Sequence, residues 1–164
     1  METGIGGISM KLFTPERVFF NPAALNYQLG QKLYNHFINT GTEVLKLSPQ
    51  MAAKHIPGKT EKEKYAHSKR TLYVTVNKEK KLDVCKPSAD YEFSLVSNCP
   101  GSCEYCYLQT THGDKPYLKV FVNLEDIFDN IKFYTQSNPG KITTFEVASL
   151  GDPLGLEHLT GSLA

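Results

Sequence analysis

The chain has 164 residues, 40% of them hydrophobic and 21% charged, with a formal net charge of +1. This is the mixture of a globular domain, and no apolar run approaches the ~18 residues that would span a bilayer. The near-neutral charge singles out no partner, and the N-terminus lacks the basic-then-apolar pattern of a secretory leader, so a cytoplasmic protein with no membrane partner is expected.

Residues 1–10, with Gly4, Gly6 and Gly7 and only Ile5 and Ile8 as bulky branched side chains, read as a disordered leader. From Lys11 the chain runs into Val18, Phe19 and Phe20, a strand. Asn21 then caps a helix with Pro22 at its first position, where a missing N–H costs least. Leu25, Leu29, Leu33, Phe37 and Ile38 give this helix an apolar stripe, and Gly41 ends it. Glu43 to Leu47 is a short strand. Lys54 to Lys81 carries nine Lys and Arg against three Glu, a local charge of +6, around a β-rich run from Thr71 to Val76. Such a stripe could follow a phosphate backbone, but charge runs usually lie in water, and the favoured reading is a solvated face whose lysines guard a sheet edge. Residues 11–90 are therefore an N-terminal α/β region with a basic segment over 54–81.

Phe93 to Ser97 is a strand that runs into a cysteine loop. Lys119 to Val122 is the next strand, and Asn123 caps a helix with Glu125 and Asp126 in its first turn. Ile127, Ile131 and Tyr134 form that helix's stripe, and Asn138-Pro139-Gly140 stops it. Ile142 to Ala148 is a further strand with Phe145 and Val147 on one face. A Gly151-Asp152-Pro153 turn follows, then a helix from about Leu156 that places Leu159 and Leu163 one turn apart. Repeated βα units predict a parallel sheet. The fold class expected is α/β, with 91–164 the start of a (β/α) barrel. Such a barrel takes ~200 or more residues, so the chain reads as truncated within it.

Three of the four cysteines, Cys99, Cys103 and Cys106, fall within eight residues, and Cys85 lies 14 residues before them. A disulfide framework would scatter its cysteines, whereas clustering favours a metal site. Three thiolates on one loop can reach three corners of an iron–sulfur cubane, where four would ligate it fully. The iron left over is an open, catalytic position, as open zinc sites are. Pro100 and Gly101 suit a tight loop whose N–H groups turn toward sulfur. A structural zinc site, with Cys85 or His112 as fourth ligand, and three unrelated thiols are the other readings.

The Cys-x3-Cys-x2-Cys spacing, with Tyr105 immediately before the third cysteine, resembles the motif of the radical S-adenosylmethionine superfamily. The resemblance implies a partial radical-SAM barrel and a [4Fe–4S] cluster on Cys99, Cys103 and Cys106. Its open iron would bind the methionyl group of S-adenosylmethionine, and Tyr105 would lie against the adenine. Gly151 and Asp152 are similar to the superfamily's turn for the methionyl amino group, with Leu150 where a first glycine often stands.

The run from Cys103 to Thr111 (Cys-Glu-Tyr-Cys-Tyr-Leu-Gln-Thr-Thr) resembles the segment that distinguishes spore photoproduct lyases. Likeness continues in Tyr27-x-Leu29-Gly30-Gln31, Ile56-Pro57-Gly58-Lys59, Lys86-Pro87-Ser88-Ala89-Asp90-Tyr91, Lys115-Pro116-Tyr117, Val122-Asn123-Leu124-x-Asp126-Ile127-Phe128 and His158-Leu159-Thr160. It implies a DNA-repair lyase that reverses a methylene-bridged thymine dimer in UV-damaged spore DNA and draws on an electron donor. By this likeness Tyr107 matches a tyrosine that relays the radical; packing beside the cluster is its other reading. The family's hydrogen-donating cysteine falls at Ser149. An alcohol O–H is far stronger than a thiol S–H, so Ser149 cannot replace that donor, and Cys85 is the remaining thiol. The expectation is therefore an N-terminal half, inactive alone, whose C-terminal half is a possible partner. A divergent radical-SAM enzyme with another substrate, or a non-catalytic metal-binding remnant, is the alternative.

Overall fold

The computed structural model describes residues 12–101, 103–107, 111, 117–137, 139–147 and 149–162. The expected leader, Leu108 to Thr110, His112, Lys115, Pro116, Asn138, Ala148 and Leu163 lie outside the described residues.

The main sheet has five strands: β1 (Arg17–Phe20), β2 (Glu43–Lys46), β3 (Thr71–Thr75), β5 (Val96–Ser97) and β6 (Leu118–Phe121). Their order is β2-β1-β3-β6-β5. All pairings are parallel except that of β5 with β6. A parallel sheet is covered on both faces and reads as continuous apolar runs, as β1 and β3 do. Side chains alternate along each strand. Val18, Phe20, Leu72, Val74, Leu118 and Val120 enter one core with Leu33 and Phe37 of helix α1 (Gln28–Asn39). Phe19, Tyr73 and Tyr117 face the other way, against Ala52 of the short helix α2 (Pro49–Ala52) and Ile56. Burial there pushes the Tyr73 hydroxyl up to about 12.

The helix expected from Asn21 is two pieces. Asn21 does cap, its Oδ1 accepting from the Ala23 N–H at 3.0 Å, but what it caps is a 3-10 turn, Pro22–Asn26. Tyr27 is extended and separates this turn from α1. Its hydroxyl donates to Asp126 at 2.9 Å, 99 residues away. Gly30 lies so close to the turn that a Cβ there would come within 1.9 Å of the Ala24 carbonyl oxygen. Ile38, expected on the apolar stripe, is 49% exposed.

Within the basic segment, periodicity gave no warning of α3 (Glu61–Ser68). Thr60 and Glu63 form a reciprocal capping box at its start. Eight of the nine cations over 54–81 are exposed; Lys69 is half-buried.

The strand expected from Phe93 to Ser97 is split. Strand β4 (Tyr91–Phe93) pairs in parallel with β7 (Phe145–Val147), whereas β5 joins the main sheet. Successive members of the expected βα series therefore fall in two sheets, and the main sheet draws strands from both sides of residue 90. Helix α4 (Leu124–Gln136) packs through Ile127 and Ile131. Asn123 stands at its N-cap, but the side chain exchanges two 2.8 Å hydrogen bonds with the Asn77 backbone instead of capping the helix. The last helix begins as a 3-10 turn, Leu154–Leu156, and continues as α5 (Glu157–Thr160). No helix among the described residues is long and apolar enough to cross a membrane.

Candidate cysteine-loop site

Strand β5 becomes the cysteine loop at Asn98, which is 1% exposed and has φ 69°. Asparagine is among the few side chains that tolerate this left-handed backbone. Its Oδ1 accepts from the Cys99 N–H at 2.8 Å and holds the turn. The Asn98 amide donates to the Leu150 carbonyl at 2.7 Å, and its carbonyl accepts from the Asp152 amide at 3.4 Å. Asn98 and Gly151 thus form a parallel bridge that binds the Gly-Asp-Pro turn to the root of the loop.

Two glycines allow this approach. A Cβ on Gly151 would meet the Val96 and Asn98 carbonyl oxygens at 3.1 and 3.2 Å. One on Gly155 would meet Pro100 Cγ at 3.0 Å and Asp152 Oδ2 at 3.1 Å.

In the loop, the Gly101 N–H donates to Cys99 Sγ at 3.3 Å. A Cβ on Gly101 would lie 3.3 Å from Cys99 Sγ and 3.8 Å from Cys103 Sγ, so both sulfurs flank one bare patch of main chain. The Cys106 amide donates to the Cys103 carbonyl at 3.1 Å, closing a turn that brings the third cysteine back to the second. Cys99 and Cys106 are half-buried and Cys103 is exposed. Among the described residues, no three His, Cys, Asp or Glu side chains meet where a single metal ion could be held. A cubane asks for something different, because each thiolate binds its own iron. An all-sulfur donor set with a backbone N–H aimed at sulfur fits an iron–sulfur cluster.

The Tyr107 hydroxyl donates to the Ser149 carbonyl at 3.1 Å, which brings the two predicted catalytic positions together. Tyr105 is 93% exposed and stands in solvent. Cys85 sits in the loop before β4; Ser88 Oγ joins its carbonyl to the Glu146 carboxylate.

Sequence reasoning missed two neighbours of the loop. Lys69, at the C-terminal end of α3, donates its ammonium to the Cys99 carbonyl. Burial pulls this ammonium down from its ordinary value, and the Cys99, Cys106 and Cys103 thiols oppose that pull. Tyr65 of α3 is pushed up by burial and, less, by Cys106. With Phe13, Glu16, Arg70 and Pro100 they line an open cleft of about 650 Å³. The capping-box spacing Thr60-x-x-Glu63 was the signal for the helix that brings them here.

The family model for spore photoproduct lyase matches residues 13–164. The chain belongs to the spore photoproduct lyase family. A spore photoproduct lyase from Geobacillus sp. (strain Y412MC61) is 46% identical over 154 residues, 94% of this chain and 45% of that protein. One from Bacillus subtilis (strain 168) is 40% identical over 151 residues, 92% of this chain and 44% of that protein. Among solved structures, a spore photoproduct lyase double mutant with bound AdoMet and dinucleoside spore photoproduct superposes with a TM-score of 0.89 at 45% identity. It is matched over 93% of this chain and 45% of its own. A spore photoproduct lyase complexed with dinucleoside spore photoproduct gives the same TM-score, 0.89, at 44% identity. The chain thus spans less than half the length of these spore photoproduct lyases, and over that span its fold is a partial radical-SAM fold.

Proposed function

We propose that this chain carries the cofactor-holding part of a radical S-adenosylmethionine lyase that repairs spore photoproduct in UV-damaged DNA. The observation that carries the reading is the pair of sulfurs, Cys99 and Cys103, flanking Gly101 on a loop laced to the Gly151-Asp152 turn. Cys99, Cys103 and Cys106 would hold a [4Fe–4S] cluster. When bound, that cluster supplies the electron that splits S-adenosylmethionine and gives a 5′-deoxyadenosyl radical able to take hydrogen from the lesion.

This chain's own groups do the rest. The Gly101 N–H donates toward sulfur, which disperses thiolate charge. Asp152, whose N–H donates to the Asn98 carbonyl, would offer its carboxylate to the methionyl ammonium, and bare Gly151 leaves main chain open beside it. Tyr105, fully presented at the loop tip, supplies a ring for the adenine. The Tyr107 hydroxyl, which donates to the Ser149 carbonyl, would pass a hydrogen atom between substrate and cofactor. Ser149 stands at the position of the family's donor thiol and cannot give a hydrogen atom to carbon, so either another thiol, of which Cys85 is the candidate, returns the hydrogen, or the repair is not completed cleanly. The substrate base would leave the stack to reach this site, and an external electron carrier would supply the reducing electron. A second reading, a radical-SAM enzyme acting on another substrate, is favoured by Ser149 alone.

Anaerobic reconstitution tests the proposal. The expected result is a brown chain with about four irons that forms 5′-deoxyadenosine under reductant; conversion of dinucleoside spore photoproduct to thymidines, once the rest of the family's length is supplied, would support the repair reading. A colourless zinc-loaded chain would overturn the cluster. Deoxyadenosine without thymine release would favour the second reading.

A further inference from the structure

Lys69 is the one cation of the basic segment drawn out of solvent, and it is drawn toward the sulfurs. The preceding helix is fixed at its far end by the Thr60–Glu63 box. At its near end, the buried Ser68 and the Thr71 hydroxyl, which donates to the His67 carbonyl at 2.8 Å, tie the turn to β3. Neighbouring Arg70 is engaged elsewhere, with Glu16 at 2.7 Å, so the two cations are not interchangeable. Lys69 is left to reach over the cleft and donate to the Cys99 carbonyl.

We propose that Lys69 is a positioning residue that also sets the reduction potential of the cluster. This rests on the cluster reading above. Three thiolates and a [4Fe–4S]²⁺ core carry one net negative charge, and one electron from a low-potential carrier raises this to two. A fixed ammonium beside the loop favours the more negative state, and partial burial keeps its field from being screened as a surface lysine's would be. The hydrogen bond to Cys99 also fixes the side of the loop that carries the first ligand. Local charge and hydrogen bonding are the levers by which a protein tunes such clusters.

Lys69→Met, Lys69→Gln and Lys69→Arg separate these contributions in the reconstituted full chain. Gln keeps a donor without the charge, and Arg keeps both. Iron content and the visible spectrum report loading; an EPR-monitored titration reports the midpoint potential without turnover. The expected result is a parent-like potential for Arg. For Met and Gln, the ratio of reduced to oxidised cluster at fixed poise should fall roughly tenfold, ~59 mV for one electron. Met and Gln variants that load iron and keep the parent's potential would overturn the inference, as would an Arg variant no better than Met. A parent chain that takes up no iron would instead overturn the cluster reading, before any variant is compared.

Discussion

At Ser149 the side chain and the main chain have separate roles. The carbonyl receives the Tyr107 hydroxyl, and in the function proposed above the hydroxymethyl group stands where a thiol would donate. Ser149→Cys should therefore fold as the parent does and raise the share of clean thymine product, read by chromatography of the repaired dinucleoside. An unchanged product ratio would remove the donor argument. Gly151 is constrained by space: a Cβ falls within 3.2 Å of two carbonyl oxygens and the Val96 Cγ2. Gly151→Ala should cost about 1–3 kcal/mol of stability by overpacking, measured by denaturant titration. The cysteine loop stands out in the sequence because spacing on one short loop survives any packing of the rest. Lys69 was not legible, since nothing in a run of nine cations marks the one that tertiary contact removes from water.

At the scale of elements, strongly buried strands such as β1 and β3 were readable from their apolar runs, and α1 and α4 from their stripes. Breaks within elements were not, because they come from partners distant in sequence: Tyr27 from Asp126, Asn123 from Asn77, and β5 from β6. Helix α3 has almost no apolar stripe, and its ends hold it instead. Thr60→Ala should cost about 1 kcal/mol by loss of the cap, seen as a lower Tm. The Glu63 carboxyl is held below the usual glutamate value by hydrogen bonds from the Lys59 and Thr60 N–H groups. A depressed carboxyl adds stability above its unfolded value, and the addition is lost as pH falls through the folded one. The Glu63→Gln variant and the parent should accordingly converge in stability as pH falls through the folded carboxyl's value and part above the unfolded one, in paired melting curves.

For the whole molecule, chain order alone could not give the sheet order, since β6 returns to β3 across 42 intervening residues. The two sheets also differ in protection. Val18, Phe19, Phe20, Leu72 and Val74 are fully buried, whereas every residue of β4 and β7 is only partly so. Amide hydrogen exchange should reach β4 and β7 well before β1 and β3; equal rates would show one cooperative block. The stitch between the cysteine loop and the turn after β7 runs through main-chain groups of Asn98, Leu150 and Asp152, and Tyr107 grips a main-chain oxygen. These bonds use main-chain atoms and do not depend on which side chain stands at 149. A side chain exchanged at 149 leaves each of these main-chain donors and acceptors in place, so a thiol can be introduced there without deleting a bond that joins loop to turn.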